Sequence, residues 1–147
     1  MRKMLVLVAA AGVLVLAFNG TAAADSAYHT ERLALSGDSG TPGGGMVVNT
    51  HANGPNVYAH EIYTLRHAVP GTYQVVLNIY TTSLSCDGTP IEIETAQIST
   101  NAAGNGRADA KFTPADAGEL RGNTVSVRWT VSGPATYATQ CTVVTLD

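Results

Sequence analysis

From residue 31 to the end of the chain, apolar and polar residues alternate with period two rather than 3.6, the pattern of half-buried strands. The clearest stretch is 124–131, where Val125, Val127, Trp129 and Val131 share one face and Thr124, Ser126, Arg128 and Thr130 the other. Segment 73–80 places Tyr73, Val75, Leu77 and Ile79 on one side, and 107–113 sets Ala108, Ala110 and Phe112 against Arg107, Asp109, Lys111 and Thr113. Segments 31–36, 45–50, 56–65, 90–99 and 136–146 complete about eight expected strands, rich in Val, Ile, Thr and Tyr.

Turn signals separate them. Asn53-Gly54 suits a two-residue hairpin turn, because both residues tolerate positive φ. Gly104-Asn105-Gly106 is expected to do the same between 90–99 and 107–113, and Asp87-Gly88-Thr89-Pro90 closes the loop after the strand at 73–80. Gly37 to Gly45 reads as a flexible, glycine-rich connection. Only 113–120 suits a helical turn, with Thr113 as N-cap, Pro114 at the first position and Asp116 in the first turn. Eight short antiparallel strands with one-sided alternation predict an all-β antiparallel sandwich or a small barrel; the sandwich is the expected architecture.

The first residues follow different rules. Arg2 and Lys3 precede an apolar run from Met4 to Phe18, broken by Asn19-Gly20 and followed by Ala22-Ala23-Ala24. This is the order of a secretory signal peptide, and a run of about 15 residues is short for a bilayer span. The expected organisation is a cleaved signal at 1–24, a flexible tail at 25–30 and one sandwich domain at 31–147. The expected location is extracellular, or periplasmic in a diderm bacterium. Sparse lysine, at Lys3 and Lys111 alone, and an alanine-rich leader suggest a bacterial source with a GC-rich genome.

Charge narrows the partners. Beyond the leader, six basic residues (Arg32, Arg66, Arg107, Lys111, Arg121 and Arg128) are scattered among eleven acidic ones. Nucleic-acid binding needs a positive footprint to neutralise phosphate, and none is present. No amphipathic basic helix points to a membrane surface once the signal is removed. No motif calls for a cofactor.

Cys86 and Cys141 are the two cysteines, both beyond the leader. In an oxidising compartment they are expected to form one structural disulfide. It would close a loop of about 55 residues, a constraint of roughly 4 kcal/mol in the chain-entropy picture. Trp129 precedes Cys141 by twelve residues, whereas immunoglobulin domains place the core Trp after the first Cys. That disfavours a true immunoglobulin domain and leaves a related sandwich topology open.

The stretch Ile98-Ser99-Thr100-Asn101-Ala102-Ala103-Gly104-Asn105-Gly106-Arg107-Ala108-Asp109-Ala110-Lys111-Phe112-Thr113 resembles a hairpin of secreted bacterial immunoglobulin-like and CHRD-like β-sandwich domains. Those families span adhesion modules, wall modules and ligand carriers, so the resemblance implies a fold more than a function.

Three motifs suggest chemistry. Gly37-Asp38-Ser39-Gly40 copies the nucleophile motif of trypsin-like proteases, but only His29 lies upstream and the domain is about half the length needed. Glu92 and Glu94 lie two residues apart on one strand, near 7 Å, the arrangement of paired acids in laminarinase-type glycoside hydrolases. That pattern continues with a further Glu, and this chain has Gln97 there. His51, His60 and His67, with Glu61, are candidate metal ligands. If Asn53-Gly54 is the hairpin turn, His51 pairs with Asn56, and His60 falls on the same face about 13 Å away, too far to share one zinc ion.

The last candidate is a surface: Val76, Asn78 and Tyr80 share the strand face opposite Leu77 and Ile79 and would form a partly apolar patch if exposed. The expected function is a non-catalytic extracellular module that binds a protein, a glycan or a small ligand. The alternative is a metal-binding protein or a metal-dependent hydrolytic enzyme using His51, His60 and Glu61.

Overall fold

The computed structural model describes residues 29–51 and 59–146. The leader at 1–24, tail residues 25–28 and the Asn53-Gly54 turn lie outside the described residues. Nine strands follow in chain order: β1 (His29–Gly37), β2 (Gly44–His51), β3 (Ala59–Arg66), β4 (Thr72–Tyr80), β5 (Ile91–Ser99), β6 (Gly106–Phe112), β7 (Thr124–Ser132), β8 (Thr136–Ala138) and β9 (Thr142–Thr145). Helix α1 (Pro114–Ala117) and a 3-10 turn (Gly118–Leu120) precede β7. The expected tail therefore ends earlier than residue 30, because His29 and Thr30 already pair with His51 and Thr50 in the β1–β2 ladder.

Every pairing is antiparallel. The strands form one sheet in the order β5-β4-β7-β8-β1-β2-β3-β6, with β9 also paired to β7. The two edges, β5 and β6, come back into contact, so the sheet is nearly closed into a barrel. Alternation is compatible with this shape: each strand sends every second side chain inward, and curling the sheet lets one apolar face cover itself. The interior holds Leu35, Val47, Tyr63, Leu65, Tyr73, Val75, Leu77, Ile98, Val125, Val127, Trp129, Val131 and Tyr137.

The turn expected at Gly104-Asn105-Gly106 lies instead at Asn101–Gly104, since Gly106 already opens β6, and its two strands do not pair with each other. Asn101 organises the turn: its backbone carbonyl accepts from Gly104 N–H and its Oδ1 from Ala103 and Asn105 N–H. One leg is tied to the start of β4, through Thr100 N–H to the Gly71 carbonyl and Gly71 N–H to Thr100 Oγ1. The other is tied beyond β3, through Ala68 N–H to the Gly104 carbonyl and His67 N–H to Asn105 Oδ1. These ties direct β5 onto β4 and β6 onto β3.

The glycine-rich connection expected from Gly37 to Gly45 is shorter than expected, because Gly37 ends β1. Gly44 and Gly45 belong to β2, and a Cβ on Gly45 would lie 1.9 Å from the Thr64 carbonyl oxygen. Glycine there permits a close approach of β2 and β3. At the other end of the chain, the single strand expected over 136–146 is split into β8 and β9. Thr139 spans the break: its Oγ1 accepts the Trp129 N–H, and its own N–H donates to the Trp129 carbonyl. Helix α1 begins as its sequence predicts, with Asp116 Oδ2 accepting from both Thr113 N–H and Thr113 Oγ1. Those bonds hold the exposed Asp116 carboxyl below its ordinary range.

Cys86 and Cys141 form the disulfide, with Cα atoms 5.8 Å apart. It fastens the loop after β4 to the break between β8 and β9. The loop lies over the outer face of β4 and β7: Ser126 Oγ donates to the Ser83 carbonyl and accepts from Cys86 N–H.

Candidate functional site

Across β1, β2 and β3 the register aligns Glu31, Asn49 and Glu61 as direct neighbours. All three fall at alternate positions shared with interior residues Leu35, Val47 and Tyr63, so this polar row faces the barrel interior. One step toward the strand ends lies a second row, His29, His51, Ala59 and Phe112.

Glu61 is only 2% exposed. Its Oε2 accepts the indole N–H of Trp129 at 2.7 Å and the phenolic O–H of Tyr63. The Tyr63 oxygen also contacts Thr95 Oγ1 at 2.8 Å, and that hydroxyl reaches the Val75 carbonyl. Thr95 is available because a bulge between Val75 and Val76 leaves it out of the β4–β5 ladder. Burial raises the Glu61 pKa to about 7; the bonds from Tyr63 and Trp129 oppose the rise, and the nearby Glu31 carboxylate adds to it. Burial and the neighbouring Glu61 push the Tyr63 phenol well above its ordinary value.

Beside Glu61, Asn49 is 7% exposed and its Oδ1 has no hydrogen-bond partner. His51 Nε2 is buried and also unbonded, lying 3.7 Å from Glu31 Oε1, beyond hydrogen-bond reach. The His51 ring stacks on that of His29 with centroids 5.3 Å apart.

These groups border a cavity of about 70 Å³ at one end of the barrel. Asn49, His51 and Glu61 form its polar side; Leu77, Ile79, Ile93, Val127, Trp129 and Val144 form most of its apolar side. Asp116, Ala117, Leu120 and Leu146 contribute from α1, the 3-10 turn and the end of the chain. The arrangement can hold a compact apolar group and offer hydrogen-bond acceptors at one end.

The residues expected to act together are separated. His51 pairs with Ala59, not with the expected Asn56. His60 consequently stands opposite Thr50 and faces outward, with Nε2 3.1 Å from Asp109 Oδ2. His67 follows the far end of β3, exposed, on the order of 25 Å along the strand from Ala59. His51 shares the interior face with Glu61, but His60 and His67 do not join them. Among the described residues no group of three His, Cys, Asp or Glu side chains is placed to hold a metal ion.

The expected surface patch is not presented. Asn78 and Tyr80 are buried and Val76 is half-buried. The disulfide-held loop covers this end of β4, where Tyr80 pairs with Ser126. Asn78 Nδ2 donates to the Arg128 carbonyl and to Thr130 Oγ1. Ser39 is exposed in the β1–β2 connection, while Glu92 and Glu94 are exposed on edge strand β5.

The interior polar row escaped sequence reasoning in part. Asn49 and Glu61 do sit at apolar-phase positions of two alternating segments, a signal that identifies buried polar groups once the strand phase is fixed. Their meeting with Trp129 depends on closure of the sheet. Compared with known proteins, the chain matches no family model, no curated protein and no solved structure.

Proposed function

We propose that this protein is a secreted, non-catalytic binding module that takes up a small ligand in the barrel-end cavity. The observation that carries this reading is a largely apolar cavity bordered by two buried polar side chains, Glu61 and Asn49, the second with an unpartnered oxygen. Buried polar groups in stable domains are satisfied, and an exception lining a cavity is a place where a ligand completes the bonding. Export is supported by the leader-like sequence at 1–24 and is compatible with the disulfide. Among the described residues no helix is long and apolar enough to cross a membrane.

A small ligand fits better than a protein or glycan on the β4 face, because Asn78 and Tyr80 are buried there. The hydrolytic alternative lacks support because His60 faces away from His51 and Glu61.

Native mass spectrometry of tag-free protein from its host's medium tests the reading. The expected result is a small molecule that dissociates on unfolding, and an Ala117→Trp variant that keeps its thermal stability but no longer carries it. Retention of the molecule by that variant, or protein that never carries one and ignores added apolar probes, overturns the proposal.

A further inference from the structure

The polarity of the cavity restricts its ligand. Its lining includes no Lys or Arg. The polar side holds the Glu61 carboxylate with the Asn49 amide and the His51 ring beside it, and Glu31 extends the same row. Both donors that reach Glu61, from Tyr63 and Trp129, end on the same oxygen, Oε2. The second carboxylate oxygen thus has capacity for another donor. Asn49 Oδ1 is buried and unpartnered, and Asn49 and Glu61 are direct cross-strand neighbours. Opposed side chains in such a pair are about 5 Å apart at Cβ, a gap that one multivalent donor can bridge.

An ammonium group matches this set. It carries three donors, no acceptor and a positive charge that compensates a buried carboxylate. A carboxylate ligand would meet Glu61 and Glu31 with like charge, while a neutral hydroxyl offers one donor for two acceptors. The apolar remainder is confined to about 70 Å³, about half the volume at which an apolar cavity takes up benzene. Resting on the cavity reading proposed above, we infer that the ligand is a small aliphatic primary amine, its ammonium group held between Glu61 and Asn49 and its short carbon chain against Leu77, Ile79 and Trp129.

Titration calorimetry and Trp129 fluorescence at pH 8, using the disulfide-bonded protein with n-butylamine, n-butanol and butyrate, test this inference. The amine should bind about tenfold or more tightly than the alcohol, the increment expected for a hydrogen bond to a charged group, and butyrate should bind least. Glu61→Gln should bring amine affinity within about threefold of that of the alcohol. If that variant does not fold, Asn49→Leu should weaken amine binding several-fold more than alcohol binding. Alcohol or butyrate binding as tightly as the amine overturns the inference and leaves the cavity reading standing. An amine preference unchanged in every folded variant overturns the assigned contacts. Binding of none of the three probes overturns both this inference and the cavity reading.

Discussion

Trp129 donates its indole N–H to Glu61 across the barrel, joining β7 to β3, two strands that are not neighbours in the sheet. The bond satisfies an indole buried to 1% exposure and an acid buried to 2%. Truncation of either partner leaves the other polar and enclosed, a larger loss than one ordinary hydrogen bond. Trp129→Phe should therefore destabilise the fold by roughly 2–3 kcal/mol, part from lost packing and part from the lost donor. The deficit in urea unfolding should grow between pH 5 and pH 8, because the ionised carboxylate needs the donor more than the neutral acid. An equal deficit at both pH values would show that packing alone is responsible.

Glu61 also sets a pH dependence. Its pKa is about 7 in the fold against an ordinary value of 4.5. Between these values the unfolded chain has released the proton and the folded chain retains it. Its contribution to stability therefore falls as pH rises from about 4.5 to about 7, then levels off, a total of about 3 kcal/mol. Glu61→Gln keeps an acceptor for Trp129 and Tyr63 but removes the titration. Its unfolding free energy should lose this slope and exceed that of the wild type at pH 8. Parallel pH profiles for the two proteins would refute the assignment.

The disulfide predicts a coupled loss. A Cys86→Ala, Cys141→Ala double variant should lose about 4 kcal/mol from its sequence separation of 55. Hydrogen exchange should accelerate first in residues 81–90, the loop that covers Tyr80. Uniform acceleration throughout the barrel would mean that the crosslink acts only on the unfolded chain.

Two glycines should separate close packing from backbone conformation. Gly45→Ala places a methyl group 1.9 Å from the Thr64 oxygen and should cost more than 2 kcal/mol, or prevent folding. Gly118→Ala meets no atom within 4 Å but retains φ of 51°, and should cost about 1 kcal/mol. Thermal unfolding of the two variants gives the comparison, and equal midpoints would contradict the tight approach of β2 and β3.

Much of the fold is legible in the chain. Alternation locates the strands, and Thr113-Pro114 with Asp116 locates the helical turn. The chain's two cysteines identify the disulfide. Strand order is less legible, because the same one-sided alternation serves a sandwich and a curled sheet equally well. The choice is made by contacts such as Thr100 to Gly71 and Asn105 to His67, which link distant segments. Register is local to the turn: an expected hairpin turn at Asn53-Gly54 put His51 and His60 on one face, whereas pairing of His51 with Ala59 sends them to opposite faces. Phase alone marks Asn49 and Glu61 as inward, but only closure brings them to Trp129.

Strand β1 pairs not only with β2 but also with β8, through Ser36 with Ala138 and Gly37 with Tyr137. This joint links nearly opposite ends of the described chain. Segments from β1 to β7 can form their ladders without β8, but the barrel wall between β7 and β1 has no occupant until Tyr137, which pairs with both Gly37 and Val131, is in place. Barrel closure therefore waits on β8, and a chain whose β8 has not docked presents an open seam beside the partly assembled core.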